Sequence, residues 1–226
     1  MAIKWQPISN ALHDIYKNKN ILTHFEQDER YLKNAFEFTE NLWKEQFDKI
    51  DKLNTILISE APLFGNEQKY VYNINTSPSS FFYFQDLQAF PTYHEITTLP
   101  KNHILKKKLM LEHFAKNGFL ILDIFPFALN HNITAINYRN MNVGLYTKLL
   151  NKTVNAYLKP KLELCLKKTH QKSKFLYRYQ RLFNNTQHHF ENVLNLMSVN
   201  YNIDTIHGTN MSLDRNRLQE LLIESS

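Results

Sequence analysis

The fold of this chain is decided by the stretch NTILISEAPLFGNEQKYVYN, residues 54–73. It opens with a short apolar run, Thr55 to Ile58, which predicts a buried strand. The run breaks at Ser59-Glu60-Ala61-Pro62, where a loop begins that contains Gly65, one of four glycines in the chain. In an open α/β sheet, the loop after a buried strand is where ligands bind.

The residues of this loop indicate what such a ligand would be. Glu60 supplies a carboxylate, Pro62 a rigid turn, and Tyr70 and Tyr72 two aromatic rings. Together they are typical of a site for a flat, polar molecule such as a nucleobase. The alternative is that the proline and glycine only turn the chain.

Composition sets the limits for the rest of the chain. With 226 residues, 43% of them hydrophobic, the sequence can form one domain with a full core. Lys and Arg number 27 against 21 Asp and Glu, which gives a net charge of +6 and permits binding to nucleic acid without requiring it. The single cysteine, Cys165, excludes a disulfide framework within one chain and is expected to be a buried structural thiol.

Hydrophobic periodicity predicts alternating strands and helices. The expected strands are 54–59, 119–124, 174–179 and 202–206. The expected helices are 11–19 (capped by Ser9 or Asn10), 27–53, 106–116 (ended by Asn117-Gly118), 142–168 (kinked or divided by Pro160), 182–197 and 215–223 (capped by Ser212 or Asp214). Between the first two strands lies a long irregular segment, residues 64–100, rich in aromatic residues.

This alternation predicts an α/β fold of three layers, αβα, with a four-stranded, largely parallel sheet. We expect a single domain over residues 1–226, with a helical N-terminal part (1–53) and a sheet core (54–226). The N-terminus has no apolar signal core and no stretch reaches the length of a membrane span, so the sequence predicts a cytoplasmic protein.

Three loops after predicted strands carry polar residues, and the carboxyl ends of parallel strands share one edge of a sheet. The loops hold Glu60, Pro62 and Tyr72; Asp123 and Asn130; and His207 and Asn210. Such convergence suits acid–base chemistry, with a carboxylate activating water and a histidine stabilising a leaving group. The structural alternatives are that Glu60 accepts backbone N–H groups, Asp123 caps the next helix and His207 serves a turn.

The motifs ISEAPLFG and YVYN resemble the first motif of the uracil-DNA glycosylase superfamily, which carries Gly-Glu-Ala-Pro-Gly after the first strand of its sheet in the thermophilic branch. HGTNMS, residues 207–212, is similar in place to the His-Pro-Ser motif of that superfamily. The resemblance extends over about residues 50–225 as strand order, and only the two short motifs are specific.

The resemblance implies a DNA glycosylase that hydrolyses an N-glycosidic bond in DNA. Glu60 would lie beside C1′ or orient the attacking water, and His207 would donate to the base oxygen. Tyr72 would stack on the extruded base, with Tyr70 and Phe82 as alternatives, and Asn130 would take part in base binding. Main-chain N–H groups around Gly208, with Thr209, Asn210 and Ser212, would hold DNA phosphates.

The sequence also departs from the family pattern. Ser59 and Leu63 replace the glycines of the signature, and the iron–sulfur cysteines are absent. Asp123 stands where the base-reading asparagine is expected, which would favour a base that presents donors, such as an exocyclic amine. The substrate is therefore uracil or another altered base, and a catalytically inactive nucleic-acid or nucleotide binding module is the alternative.

Other classes have less support in the sequence. There is no Gly-x-Ser-x-Gly for an α/β hydrolase, no Gly-rich phosphate loop, and no spacing typical of a metal site. We therefore expect no metal and no cofactor. The aromatic segment 81–93 is open to three interpretations: a pocket wall, a wedge into DNA, or a dimer surface.

Overall fold

The computed structural model describes residues 3–76, 103–196, 203–205 and 214–224. Two helices, α1 (Trp5–Asn18) and α2 (Phe25–Asp48), precede the first strand, β1 (Leu53–Ser59). The later elements are α3 (His103–Lys116), β2 (Phe119–Asp123), α4 (Val143–Thr153), α5 (Lys159–Leu166), β3 (Thr169–Tyr177), α6 (Gln180–Leu196), β4 (Ile203–Thr205) and α7 (Arg215–Glu224).

The sheet has the strand order β2-β1-β3-β4, and all of its pairings are parallel. Every residue of β2 is buried, as is nearly every residue of β1, because helices cover both faces of a parallel sheet. The predicted α/β class with a parallel sheet is confirmed. Three strands carry most of the sheet, and the fourth predicted strand corresponds to only three residues, Ile203–Thr205.

The first helix starts earlier than predicted. Neither Ser9 nor Asn10 caps it, because α1 begins at Trp5 and Ser9 lies buried inside it, donating a hydrogen bond to Glu29 on α2. Pro7 did not exclude this start, since proline is tolerated in the first turn of a helix.

Two predicted helix signals are confirmed. Gly118 follows α3 with φ +63°, and a Cβ there would lie 2.3 Å from the carbonyl oxygen of Lys52, so only glycine fits. Pro160 divides the predicted helix 142–168, because a π-helical turn, Val154–Leu158, separates α4 from α5 and places the proline in the first turn of α5.

The last predicted helix is confirmed as α7. Asp214 caps it, because its Oδ1 accepts the backbone N–H of Arg217, 3.0 Å away.

The strand β3 begins five residues before its predicted start. Thr169 pairs with Leu53 while Lys174 pairs with Thr55, so β3 carries extra residues in a bulge. At this bulge the hydroxyl of Ser173 donates a hydrogen bond to the backbone carbonyl of Leu53, 2.7 Å away. The sequence missed the extension because its residues are polar and follow no strand periodicity.

Candidate functional site

Three neighbouring strands end together at one edge of the sheet. Ser59, the last residue of β1, pairs with Asp123, the last residue of β2. On the other side of β1, Ile58 pairs with Tyr177, the last residue of β3. In the strand order β2-β1-β3-β4, the chain passes from β1 to β2 on one side and from β3 to β4 on the other. The carboxyl ends of β1 and β3 therefore flank a switch point, which is where an open α/β sheet binds its ligand.

Glu60 lies beside this point and is held in a polar environment. Its backbone carbonyl accepts the N–H of Phe125 at 3.0 Å, which continues the ladder between β1 and β2 beyond the strand. Its side chain is half-buried, and Oε1 accepts a hydrogen bond from the hydroxyl of Tyr146 on α4 at 3.1 Å. The carboxylate thus faces α4, and among the described residues it binds no backbone N–H group.

Burial raises the pKa of Glu60, while the charge of Arg181 and the hydrogen bond from Tyr146 act in the opposite direction. Tyr146 is fully buried, and burial together with the charge of Glu60 raises its pKa, so it stays a hydroxyl donor. A carboxylate with a raised pKa and a fixed donor beside it is the usual arrangement of a general base.

Arg181 brings positive charge to the same place from the first turn of α6. The residue is exposed, and its Nη2 donates to the backbone carbonyl of Tyr138 at 2.8 Å. Tyr138 in turn donates through its hydroxyl to the carbonyl of Phe127, 2.9 Å away. The guanidinium is therefore anchored through one nitrogen, and its charge lowers the pKa of Glu60.

Asp123 differs from Glu60 although it ends the adjacent strand. Its side chain is 1% exposed, Oδ1 has no hydrogen-bond partner among the described residues, and the carboxyl group accepts from the side chain of Ser59 and, through Oδ2 at a long 3.5 Å, from the hydroxyl of Tyr70. Burial raises the pKa of Asp123 to about 7, against the attraction of Lys161. It does not cap the next helix, because Asn142 caps α4 by accepting the N–H of Leu145.

A buried ion pair lies behind Asp123. Lys161 on α5 is fully buried, and its Nζ lies 2.5 Å from Glu40 Oε1 on α2 and 3.0 Å from the hydroxyl of Tyr157. The ammonium also lies 4.1 Å from the centre of the Trp43 ring. These contacts satisfy the charge and join α2 to α5, so this group supports the structure beneath the sheet edge.

The two tyrosines predicted to stack on a base are covered in this structure. Tyr72 is 2% exposed, and its hydroxyl accepts the N–H of Ile121 at 2.6 Å and donates to the carbonyl of the same residue at 3.3 Å. Trp43 donates to that carbonyl as well, at 3.0 Å. Both rings therefore cover the outer edge of β2, and neither presents a free face to a ligand.

Tyr70 is equally enclosed, with 3% exposure and an edge-on contact to the Tyr72 ring at 5.5 Å. Tyr70 lies near the end of β2 and Tyr72 lies against its middle residue, and neither ring has a free face here. Their predicted role in stacking on a base stays a prediction. Apolar area and hydroxyl hydrogen bonds hold them in the core.

Gly65 and Asn130 bring the first two loops together. Pro62 is buried. Gly65, with φ +79°, lies so close to Asn130 that a Cβ would be 3.2 Å from the amide nitrogen of that side chain. Asn130 Oδ1 accepts the N–H of Asn132 at 2.9 Å, which is a local turn.

Six residues predicted for the site lie outside the described residues: Phe82, His207, Gly208, Thr209, Asn210 and Ser212. The aromatic segment 81–93 lies outside as well. The structure therefore places Glu60 next to the end of β2, where Asp123 lies, and places Gly65 of the first loop against Asn130. The predicted roles of all these residues stay predictions.

Sequence reasoning missed Tyr146, Arg181 and Tyr138. It considered the loops after the first, second and fourth strands and passed over the third, although Tyr177-Arg178-Tyr179 ends at the same sheet edge. That strand end was the available signal for Arg181. Tyr146 had no comparable signal, because it lies 86 positions from Glu60 and only the fold joins them.

Cys165 is confirmed as a buried thiol, and burial raises its pKa to about 12. Within the described ranges, no group of three or more His, Cys, Asp or Glu side chains is arranged to hold a metal ion. In the same part of the chain, no helix combines the length and the hydrophobicity needed to cross a bilayer.

Comparison with protein-family models, with curated proteins and with solved structures finds no match to this chain.

Proposed function

We propose that this protein hydrolyses the N-glycosidic bond of uracil or another altered base in DNA, with Glu60 acting at the sugar carbon. One observation carries the proposal: Glu60 is a half-buried carboxylate at the carboxyl end of β1, beside the β1–β3 switch point, with one oxygen held by Tyr146. In open α/β sheets this is the place for a ligand.

The chemistry that Glu60 would perform follows from the charge that develops. As the bond from C1′ to the base nitrogen breaks, the sugar becomes positive and the base leaves with the electron pair. A fixed carboxylate in a half-buried position stabilises the positive sugar and accepts a proton from the water whose oxygen bonds to C1′. In this proposal, His207 donates to the departing base.

The positive group of the site would meet the DNA. Arg181 is exposed, its charge acts on Glu60, and the donors that it does not use on the carbonyl of Tyr138 suit a phosphate beside an extruded nucleotide. In this proposal the protein is a three-layer αβα domain with a four-stranded sheet, and it acts on DNA in the cytoplasm. The stacking surface for the base would come from residues other than Tyr70 and Tyr72, and Phe82 is the remaining predicted ring.

A second candidate function is a catalytically inactive nucleic-acid or nucleotide binding module. The observation that favours it is the enclosure of Asp123, Tyr70 and Tyr72, which removes three of the predicted site residues from contact with a base. Recognition would then rest on Glu60 and Arg181.

An abasic-site assay separates the two candidates. Duplexes that carry uracil or one other altered base are incubated with the protein, and alkali converts each abasic site into a strand break. We expect cleavage by the wild type and a loss of about 100-fold or more for Glu60→Gln, the size typical when a group that stabilises transition-state charge is removed.

Glu67→Gln is the matched control, because Glu67 is an exposed carboxylate of the same loop and its partner is Lys69, 2.7 Å away. It should retain wild-type cleavage. Absence of strand breaks with every altered base, at enzyme in excess over DNA, would overturn the catalytic proposal. Weaker DNA binding by Glu60→Gln than by the wild type in that case would favour the binding module.

A further inference from the structure

The opposite edge of the sheet carries a concentration of positive charge. Three turns with their flanking residues, 49–52, 116–118 and 167–174, lead into β1, β2 and β3 and include the bulged start of β3; their one carboxylate is Asp51. The lysines of these residues, here named the amino-edge lysines, are Lys49, Lys52, Lys116, Lys167, Lys168, Lys172 and Lys174. Their balance against Asp51 equals the formal net charge of the whole chain, +6.

The three turns form one continuous surface. The N–H of Asn54 donates to the carbonyl of Gly118 at 2.9 Å, and the N–H of Leu53 donates to the carbonyl of Lys168 at 2.8 Å. His170 Nε2 lies 2.8 Å from Asn54 Oδ1, which ties the β3 bulge to the same place. Because β2, β1 and β3 are adjacent, their preceding lysines are neighbours in space.

The electrostatic effect of this crowding reaches His170. Desolvation lowers the pKa of His170, and the charges of Lys52 and Lys172 lower it further. Both lysines therefore lie near the imidazole, and like charges are being held together at this edge.

Five of these seven ammonium groups have no ion-pair partner among the described residues. Lys49, Lys52, Lys116, Lys167 and Lys172 are exposed, and none of them forms an ion pair in the part of the chain that the structure describes. By contrast, Lys33 and Lys108 on the faces of α2 and α3 pair with carboxylates four residues later.

Helix ends account for only part of the charge. The helices α2, α3 and α5 end at this edge, and each C-terminus carries about half a negative charge, roughly −1.5 in total. Lys168 serves one of these ends directly, with its Nζ at 2.8 Å from the carbonyl of Phe47 and 2.5 Å from that of Ile50. The charge of the five exposed lysines, Lys49, Lys52, Lys116, Lys167 and Lys172, exceeds these partial charges, and none of the five has an ion-pair partner in the described part of the chain.

We propose that the amino-edge lysines form a second binding surface, which holds the phosphate backbone of a nucleic acid without reading its sequence. Three adjacent strands span about 10 Å, since neighbouring strands lie about 4.8 Å apart. One nucleic-acid strand presents a phosphate about every 3.4 Å along a duplex, so the surface matches several phosphates in a row.

A nucleic acid fits this surface better than a membrane does. Stable attachment to a bilayer needs apolar side chains that enter it, besides positive charge. The exposed large hydrophobic residues of the described chain lie elsewhere, at positions 22, 63, 74, 104, 105 and 143. The surface lies at the end of the sheet opposite Glu60, and this proposal does not depend on the chemistry proposed there.

The test is the salt dependence of binding to a fluorescent 20-base-pair duplex and to its single strand, measured by anisotropy. Lys52→Gln, Lys116→Gln and Lys172→Gln are combined in one variant. Each lost phosphate contact lowers the slope of log K against log salt by about 0.9 for a duplex, so we expect a slope smaller by about 2 to 3 and an affinity reduced roughly tenfold or more at low salt.

A control variant makes the same change of net charge. It combines Lys33→Gln, Lys108→Gln and Lys152→Gln, whose lysines pair with Glu37, Glu112 and Asp14. The control should keep the wild-type slope, and so should Glu67→Gln, which changes a carboxylate of the loop after β1 that takes part in neither proposed surface. An amino-edge variant with the wild-type slope, or wild-type protein that binds anionic phosphatidylserine vesicles but neither oligonucleotide, would overturn the proposal.

Discussion

The ends of β1 and β2 place two carboxylates on one edge of the sheet, one strand apart, in opposite circumstances. Glu60 is half-buried, accepts a hydrogen bond from Tyr146 and has the charge of Arg181 nearby. Asp123 is 1% exposed, has an oxygen without a partner in the described structure and lies above the buried pair of Lys161 and Glu40.

This difference in burial and in hydrogen-bond partners shows which of the two carboxylates a substrate can contact. Burial raises the pKa of both, but only Glu60 combines that shift with access from the surface and a fixed donor. Asp123 faces inward, where its charge state affects the stability of the fold. Position at a strand end therefore does not by itself make a carboxylate functional. The side chains packed around the carboxylate determine whether a substrate can reach it.

The largest expected effect on the free energy of unfolding is at the buried ion pair near Asp123, at the end of β2. Lys161→Met leaves Glu40 charged and without its partner, and breaking one half of a buried ion pair costs about 3–5 kcal/mol. We expect this loss in the free energy of unfolding measured by urea denaturation. The double variant Lys161→Met/Glu40→Gln should recover much of it, and a single variant as stable as wild type would show that the pair does not hold α5 to α2.

Asp123→Asn should reveal a pH dependence that belongs to the β2 side. The pKa of Asp123 is about 7 when folded and 3.8 in the reference state, so its protonated form contributes stability that is complete below pH 3.8 and is lost as the pH rises through 7. The melting temperature of the variant minus that of wild type should therefore increase between pH 5 and pH 8. A constant difference across this range would contradict the burial of a titrating carboxyl.

The smallest effect on the free energy of unfolding is expected at the end of β1. Tyr146→Phe removes the hydrogen bond that lowers the pKa of Glu60, so that pKa should rise further. The cost in stability is about 0.5–1.5 kcal/mol, since water reaches a half-buried carboxylate. Titration of the Glu60 carboxyl carbon by NMR checks the direction, and an unchanged or lower pKa would show that Tyr146 does not set it.

Sequence patterns predicted much of the fold, because the elements that they identified are local. The apolar runs at 54–59 and 119–124 are strands, Gly118 ends α3, and Pro160 divides the following helix. The early start of α1 was missed because its N-cap, Lys4, makes no side-chain hydrogen bond and so left no capping signal. The start of β3 was missed because a bulge breaks the alternation on which strand prediction depends.

The candidate site was less predictable than the fold. Glu60 was found because it directly follows a clear strand, but the sequence could not tell its environment from that of Asp123. That distinction depends on Tyr146, Lys161 and Glu40, which come from three different helices. The rings of Tyr70 and Tyr72 show the same limit, since aromatic composition does not reveal which surface a ring will cover.

The covering of Ile121 by Tyr72 and Trp43 has a consequence for the behaviour of the protein at high concentration. A bare border strand is a template on which another chain can build, and such growth leads to aggregates. Here the N–H and carbonyl at the middle of β2 are already occupied by side chains from the loop after β1 and from α2. A foreign strand would have to displace two buried rings to dock on this side, so the tyrosine of the opening motif protects the molecule against unwanted self-assembly.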